Sequence, residues 1–141
     1  MGARARLVET IETGNRLMSG WRTREARAFG YAFRGVYEAV RGERHMRFHV
    51  VAAVVVVVVA AWLGVSAADW LWLVAAIGSV WAAELFNTAI ERVVDLASPD
   101  IHPLAKAAKD TASGAVLVAS VTAAVIGFIV LGPPIWERLF G

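Results

Sequence analysis

The reading of the fold rests on one stretch, WAAELFNTAIERVVDLASPD, residues Trp81 to Asp100. It continues an apolar run that begins at Trp70, yet it carries Glu84 and Asn87 inside that run, and Glu91 and Asp95 follow at helical spacing. With Glu84 at zero, Asn87 falls at about −60°, Thr88 at about +40°, Glu91 at about −20° and Asp95 at about +20° around a helix. These five side chains share an arc of roughly 100°, while Leu85, Phe86, Ala89, Ile90, Val93 and Val94 cover the rest. Such a stripe belongs against a protein interior or a wet cavity. An ionisable group at mid-membrane costs roughly 2.5–3.5 kcal/mol on insertion scales and marks a functional site by default. The structural alternative is a bundle seam in which Glu84 pairs with an Arg or carries a proton. Spans two and three are read as holding no basic residue to serve as that partner.

The rest of the chain supports a membrane setting. It has 141 residues, 58% of them hydrophobic, and a mean hydropathy of +0.58. Phe48–Val65, with six consecutive valines from Val54 to Val59, and Ala112–Leu131 carry no charge. A spanning helix needs roughly 20 mostly apolar residues, and a lone strand cannot cross lipid with unpaired backbone groups. Three helical spans are predicted, over about 46–65, 70–95 and 106–131. No secretory signal is expected, because the first apolar run starts near residue 48 and more spans follow. There is no cysteine, so disulfides are excluded.

Charge sets the predicted topology. Ten of the 14 basic residues are arginines within the first 47 positions. The first connection, GVSAAD, has no basic residue, whereas Arg92, Lys106 and Lys109 flank the second. The positive-inside rule then puts the N-terminus and the second connection in the cytoplasm, and the first connection and the C-terminus outside. The basic N-terminal region reads as a topology signal that meets anionic headgroups, not as a nucleic-acid arm. Trp62, Trp70 and Trp72 flank the outer turn as an aromatic belt would.

Residues 1–20 form a basic extension. From Glu25 to Arg41, Phe29, Phe33, Val36, Tyr37 and Val40 recur on one side and Arg27, Arg34, Glu38 and Arg41 on another. That pattern predicts an amphipathic helix in the membrane interface, with Trp21 as a headgroup-level anchor. SPDIHP interrupts span two, since Pro99 and Pro103 disfavour helix just before them, and Gly132-Pro133-Pro134 is expected to end span three. GYAFRGV has the spacing of a phosphate loop but lacks its Lys-Ser/Thr. His45 and His49 could bind zinc, but no third ligand stands at convincing spacing, so interfacial packing is the preferred reading.

Glu91 lies roughly 10 Å nearer the cytoplasm than Glu84 along the axis. One acid is placed for a lipid-borne group and the other for a soluble substrate or metal. Glu43, Asp95, Asp100, His102, Lys106, Lys109 and Asp110 gather at the same predicted interface. Few carboxylates, a lysine and substrate phosphates are what a magnesium–nucleotide site uses.

The combination AELFNTAIERVVD, then HPLAKAAKD and SGAVLVAS, strongly resembles the small bacterial integral-membrane lipid kinases, the prokaryotic diacylglycerol kinase and undecaprenol kinase family. The resemblance runs from about Arg24 to Leu131. It implies an all-α membrane protein with three transmembrane helices and an amphipathic surface helix, within a lipid kinase domain over 21–141. It further implies a homotrimer with active sites shared between neighbouring chains, in the bacterial inner membrane. Members transfer the γ-phosphate of ATP to a lipid hydroxyl with Mg2+. The resemblance makes Glu84 the catalytic base and Glu43 and Glu91 the metal-binding acids. It assigns Tyr31, Glu43, Glu91, Asp100, His102, Lys109 and Asp110 to the nucleotide, and Arg24, Glu84, Asn87 and Ser113 to the lipid. ERHMRFH and HPLAKAAKD resemble the undecaprenol branch more than the diacylglycerol branch. Two readings from other classes are a small proton-coupled transporter using Glu84 and a non-enzymatic membrane scaffold. The first leaves the Glu43, Glu91 and Lys109-Asp110 cluster unused, and the second leaves the stripe unexplained.

Overall fold

The computed structural model describes residues 24–25, 27–98, 100 and 102–141. Residues 1–20 and Trp21, with the roles expected for them, lie outside the described residues. The chain divides into two units, Met1–Glu38 and Ala39–Gly141. In the first, residues 27–38 are helical, and Phe29, Tyr31, Phe33 and Tyr37 are exposed. The helical residues 27–42 are α1. The second unit carries α2 (Arg44–Leu63), α3 (Ala67–Ala97) and α4 (Pro103–Phe140). Among the described residues the protein is all-helical.

α2, α3 and α4 are each long and apolar enough to cross a membrane. At 1.5 Å per residue, the 20 residues of α2 span about 30 Å, the thickness of a bilayer's hydrocarbon core. α3 has 31 residues, so about a third of it overhangs. That overhang carries Glu91 and Asp95.

The interior is narrow and small-chained. Ala39, Met46, Ala53 and Ala60 are buried at every seventh position, and Leu73, Ala76 and Val80 continue the seam on α3. Small side chains let helix backbones approach, which is how packing holds helices together where lipid removes the hydrophobic drive. The outward faces are apolar: Val54, Val58, Leu71, Val74, Leu117, Val121 and Phe128 are all exposed.

The connection between α2 and α3 is locally determined. Gly64 sits at φ 68°, ψ 40°, the left-handed region that glycine adopts without a Cβ penalty. Ser66 then opens α3 with a capping box: Asp69 N donates to Ser66 Oγ at 3.2 Å, and Ser66 N donates to Asp69 Oδ2 at 3.1 Å. Val65 and Trp70, on either side of the cap, both pack against the cluster of Ala60, Leu73 and Leu131. They stand at N′ and N4, the two positions whose apolar residues guide the chain into a helix. Trp62 and Trp72 are exposed, as belt residues require, while Trp70 is half-buried.

One expectation is overturned. Gly132-Pro133-Pro134 does not end the last helix; α4 continues through both prolines to Phe140. Gly132 has no Cβ to clash with the Pro133 ring, which is the usual reason helix stops before proline. Each proline removes one backbone donor, and membrane helices tolerate that when packing compensates. Here Leu131 and Ile135 pack against Ala60 and Leu73. Beyond the prolines, Arg138 donates to the Trp62 carbonyl at 3.0 Å and lies 5.1 Å from the Trp62 ring centroid.

Candidate active site

The stripe of α3 is turned inward at its deep end. Glu84 is 3% exposed, Asn87 7% and Thr88 4%. Phe86 and Val93, on the other side of the same helix, are more than 60% exposed. A single chain therefore already encloses Glu84. No hydrogen bond or ion pair to the Glu84 carboxylate forms among the described residues. Its oxygens are left free as acceptors.

Asn87 ties the deep end of the stripe to the shallow end. Its Nδ2 donates to Glu91 Oε1 at 3.1 Å, the i, i+4 pairing a helix face provides. Its Oδ1 is buried without a partner, an acceptor held close to Glu84 by one turn of helix.

The shallow end is a set of ion pairs. Glu43, at the N-cap of α2, lies 3.7 Å from Arg92, which places the loop before α2 beside the end of α3 that carries Glu91. Lys109 Nζ donates to Asp95 Oδ1 at 2.5 Å across the α3–α4 connection, and Lys106 donates to Asp110 at 2.5 Å along α4. Lys109 and Asp110, adjacent in sequence, thus hold different partners. Arg92, Lys106 and Lys109 also correct the reading of spans two and three as free of basic residues. All three lie inside α3 or α4, but near the helix ends and paired with Glu43, Asp110 and Asp95 instead of Glu84.

His102 caps α4, its Nδ1 accepting from Leu104 N at 3.2 Å. The Asp100 carbonyl accepts from Ser98 Oγ at 3.1 Å. Both residues are exposed in the same connection, and Ser113 is exposed on α4. Arg24 and Tyr31 belong to the first unit, where both are exposed. His49 is half-buried with its ring against Phe48 at 5.5 Å, and His45 is exposed.

Sequence reasoning missed one pairing and two side chains. Asp95 stands in the predicted interfacial cluster, but spacing alone did not join it to Lys109. Trp81 and Ser120 line a cavity of about 390 Å³ between α2, α3 and α4, and the Trp81 Nε1 and Ser120 Oγ atoms are buried without partners. Trp81 sits at about +60° from Glu84, just outside the stripe's arc. Nothing in the sequence singled out Ser120.

The motif agrees with comparisons to known proteins. The prokaryotic diacylglycerol kinase family matches residues 30–131. An undecaprenol kinase of Bacillus subtilis is 42% identical over 107 residues, 76% of this chain and 87% of that protein. A diacylglycerol kinase of Synechocystis is 40% identical over 109 residues, covering 77% of this chain and 62% of the relative. The diacylglycerol kinase of Escherichia coli K12 is 38% identical over 109 residues, 77% and 89% of the two chains. With three apolar helices, an inward carboxylate stripe and this match, the chain belongs to the prokaryotic diacylglycerol kinase family.

Proposed function

We propose that this protein is a multi-pass membrane lipid kinase that transfers the γ-phosphate of ATP to a lipid hydroxyl, with undecaprenol as its principal acceptor. The observation that carries the reading is Glu84, buried and unpaired on a stripe that ends in carboxylates and a lysine. The undecaprenol assignment is supported by the 42% identity to the Bacillus subtilis enzyme of that name. Diacylglycerol is the alternative acceptor. A proton-coupled transporter would use Glu84 but not the Glu43–Arg92 and Lys109–Asp95 cluster.

In the proposed reaction the lipid hydroxyl lies against Glu84. Its oxygen attacks the γ-phosphorus, the new O–P bond forms, and the bond to the β-phosphate oxygen breaks. The hydroxyl proton passes to the Glu84 carboxylate, a general-base role that requires hydrogen-bond reach. Asn87 stands one turn from Glu84, and its Nδ2 holds Glu91. Phosphoryl transfer depends mainly on positioning and charge neutralisation, and the shallow cluster supplies both. Lys109, Asp110, Asp100, His102 and Tyr31 hold the nucleotide, and Arg24 and Ser113 face the lipid.

Magnesium fits the donor set. It is satisfied by one or two carboxylates with phosphate oxygens and water, and Glu43 and Glu91 are hard oxygen donors at one end of the bundle. When bound there it would neutralise charge on the β- and γ-phosphates. The N-terminus, the α3–α4 connection and the nucleotide site lie on the cytoplasmic side and the C-terminus outside, with α1 as an interfacial helix. A homotrimer with shared sites rests on the family resemblance, and cross-linking in mild detergent should trap three chains.

A micelle assay with labelled ATP, magnesium and either undecaprenol or diacylglycerol tests the reading. Labelled lipid phosphate is expected, with undecaprenol turned over faster. No labelled lipid from either acceptor would overturn it.

A further inference from the structure

The cations that α3 and α4 place at the shallow end are not held alike. Lys106 and Lys109 each donate a hydrogen bond to a carboxylate, Asp110 and Asp95 respectively. Arg92 makes no hydrogen bond among the described residues. Its Nη2 stands 3.7 Å from Glu43 Oε1, an attraction between charges that lies outside hydrogen-bond reach. The same nitrogen is 3.9 Å from the point where a Cβ on Gly42 would stand, so the guanidinium rests beside Gly42 as well as Glu43. Arg92 follows Glu91 directly and lies at about +80° from Glu84, on the flank of the stripe. A planar fork of N–H donors, none of them in a hydrogen bond, thus sits against a carboxylate proposed to hold magnesium.

A contact of this kind is easily opened. The Arg92 side chain is about half exposed and that of Glu43 about a third, and pairs in such surroundings contribute little to stability. A divalent cation taken up by Glu43 would share the carboxylate with the guanidinium, and two positive charges on one carboxylate repel. An anion that both can hold relieves that repulsion. A triphosphate is such an anion: its oxygens serve magnesium, and a guanidinium matches phosphate geometry well enough to donate to two oxygens at once. Charge points the same way. Glu43 and Glu91 bring negative charge to the end of the bundle where the nucleotide brings more, and Lys109 is already neutralised by Asp95. Arg92 is the cation of α3 and α4 left to offset it.

We infer that Arg92 is a phosphate-binding residue of the nucleotide site, exchanged between two anions: it rests on Glu43, and it passes to the phosphate oxygens of the nucleotide when Glu43 takes the divalent cation. The inference rests on the lipid-kinase reading and gives a role to a residue that reading leaves without one. Arg92 competes with a bare cation for Glu43 and favours a cation that arrives with phosphate. Its removal should therefore tighten the binding of metal alone and weaken the binding of metal with nucleotide. A merely structural ion pair would not move the two affinities in opposite directions.

The test uses the full chain in detergent and two binding measurements: Mn2+ without nucleotide, from the paramagnetic resonance signal of the free ion, and Mg–ATP, by titration calorimetry. Melting temperature reports folding. In Arg92→Ala the affinity for Mn2+ should rise roughly threefold, the scale of an exposed ion pair. The affinity for Mg–ATP should fall roughly tenfold or more, the scale of a hydrogen bond to a charged group. Arg92→Lys keeps the charge but loses the fork; Mn2+ affinity should stay at the parent's value and Mg–ATP affinity should fall part of the way. With metal chelated, Glu43→Gln releases Arg92 and should bind ATP more tightly than the parent, a gain that should vanish when Arg92→Ala is added. Mn2+ affinity that is unchanged or lowered in Arg92→Ala overturns the inference. So does an unchanged Mg–ATP affinity, or a Glu43→Gln gain that is absent or survives the loss of Arg92. Should Arg92→Ala fail to fold, Arg92→Lys decides, and Mg–ATP affinity equal to the parent's overturns the inference. A parent that binds no Mg–ATP and phosphorylates neither lipid overturns the lipid-kinase reading itself, a different failure.

Discussion

The two halves of the α3 stripe differ in what surrounds their acids. At the deep end, Glu84, Asn87 and Thr88 are buried, and the Glu84 carboxylate has no partner among the described residues. At the shallow end, Asp95 is exposed and bound to Lys109, and Glu91 is half-buried and bound by Asn87. A carboxylate that is buried and unpaired is costly to maintain in an apolar medium, whereas an exposed pair contributes little either way. In the proposed reading the deep acid serves the chemistry, and the shallow acids serve binding and organisation. One continuous helix carries both because its overhang places them in different media.

Glu84→Gln breaks the comparison at its strongest point and should have the largest effect. Size and hydrogen-bonding capacity are kept, but the base is lost. Turnover should fall by about 10² or more, the usual magnitude of general-base catalysis. Nucleotide binding should persist, since Glu91 lies about 10 Å away along the axis. The melting temperature should hold or rise, because a buried charge is removed. Turnover, nucleotide affinity and melting temperature on one preparation check this; near-normal turnover would remove Glu84 from the mechanism.

Glu91→Gln probes the boundary between the halves. It removes charge where magnesium–nucleotide is proposed and weakens the pairing with Asn87. Nucleotide affinity should drop by roughly tenfold, the size of one charge-assisted interaction, and activity should recover in part at high magnesium. Affinity that is unchanged with and without magnesium would contradict the assignment.

Asp95→Asn acts at the shallow end alone. Lys109 loses its charged partner, and KM for the nucleotide should rise by up to about fivefold, the scale of an exposed ion pair. The value of kcat should be nearly kept. A large loss of kcat instead would place Asp95 among the groups that touch the reacting atoms.

Lys106→Ala should have the smallest effect. Its pair with Asp110 is an exposed i, i+4 contact, worth about 0.3–0.5 kcal/mol. Thermal unfolding in detergent should shift by no more than a degree or two. A larger shift would mean that the shallow pairs hold the bundle together, and the contrast between the two halves would weaken.

Much of this was legible in the residues. Uncharged runs near the bilayer thickness mark the spans, and the spacing of Glu84, Asn87, Thr88, Glu91 and Asp95 marks one face of one helix. Both are local properties, because apolarity and helical period are repeated in every turn of a single segment. The family motif is likewise a linear pattern. Periodicity locates a face relative to its own helix, however, and says nothing of which helix that face meets. Only the packed bundle decided that Lys109 joins Asp95, that Glu43 lies beside Arg92, and that one chain suffices to bury Glu84. It also carried α4 through Pro133 and Pro134, where contacts from Leu131, Ile135 and Arg138 outweigh a local preference to stop. Which residues of three helices come to one level is decided only once the helices take a register, which depends on the interlocking of small side chains across seams that no single segment contains.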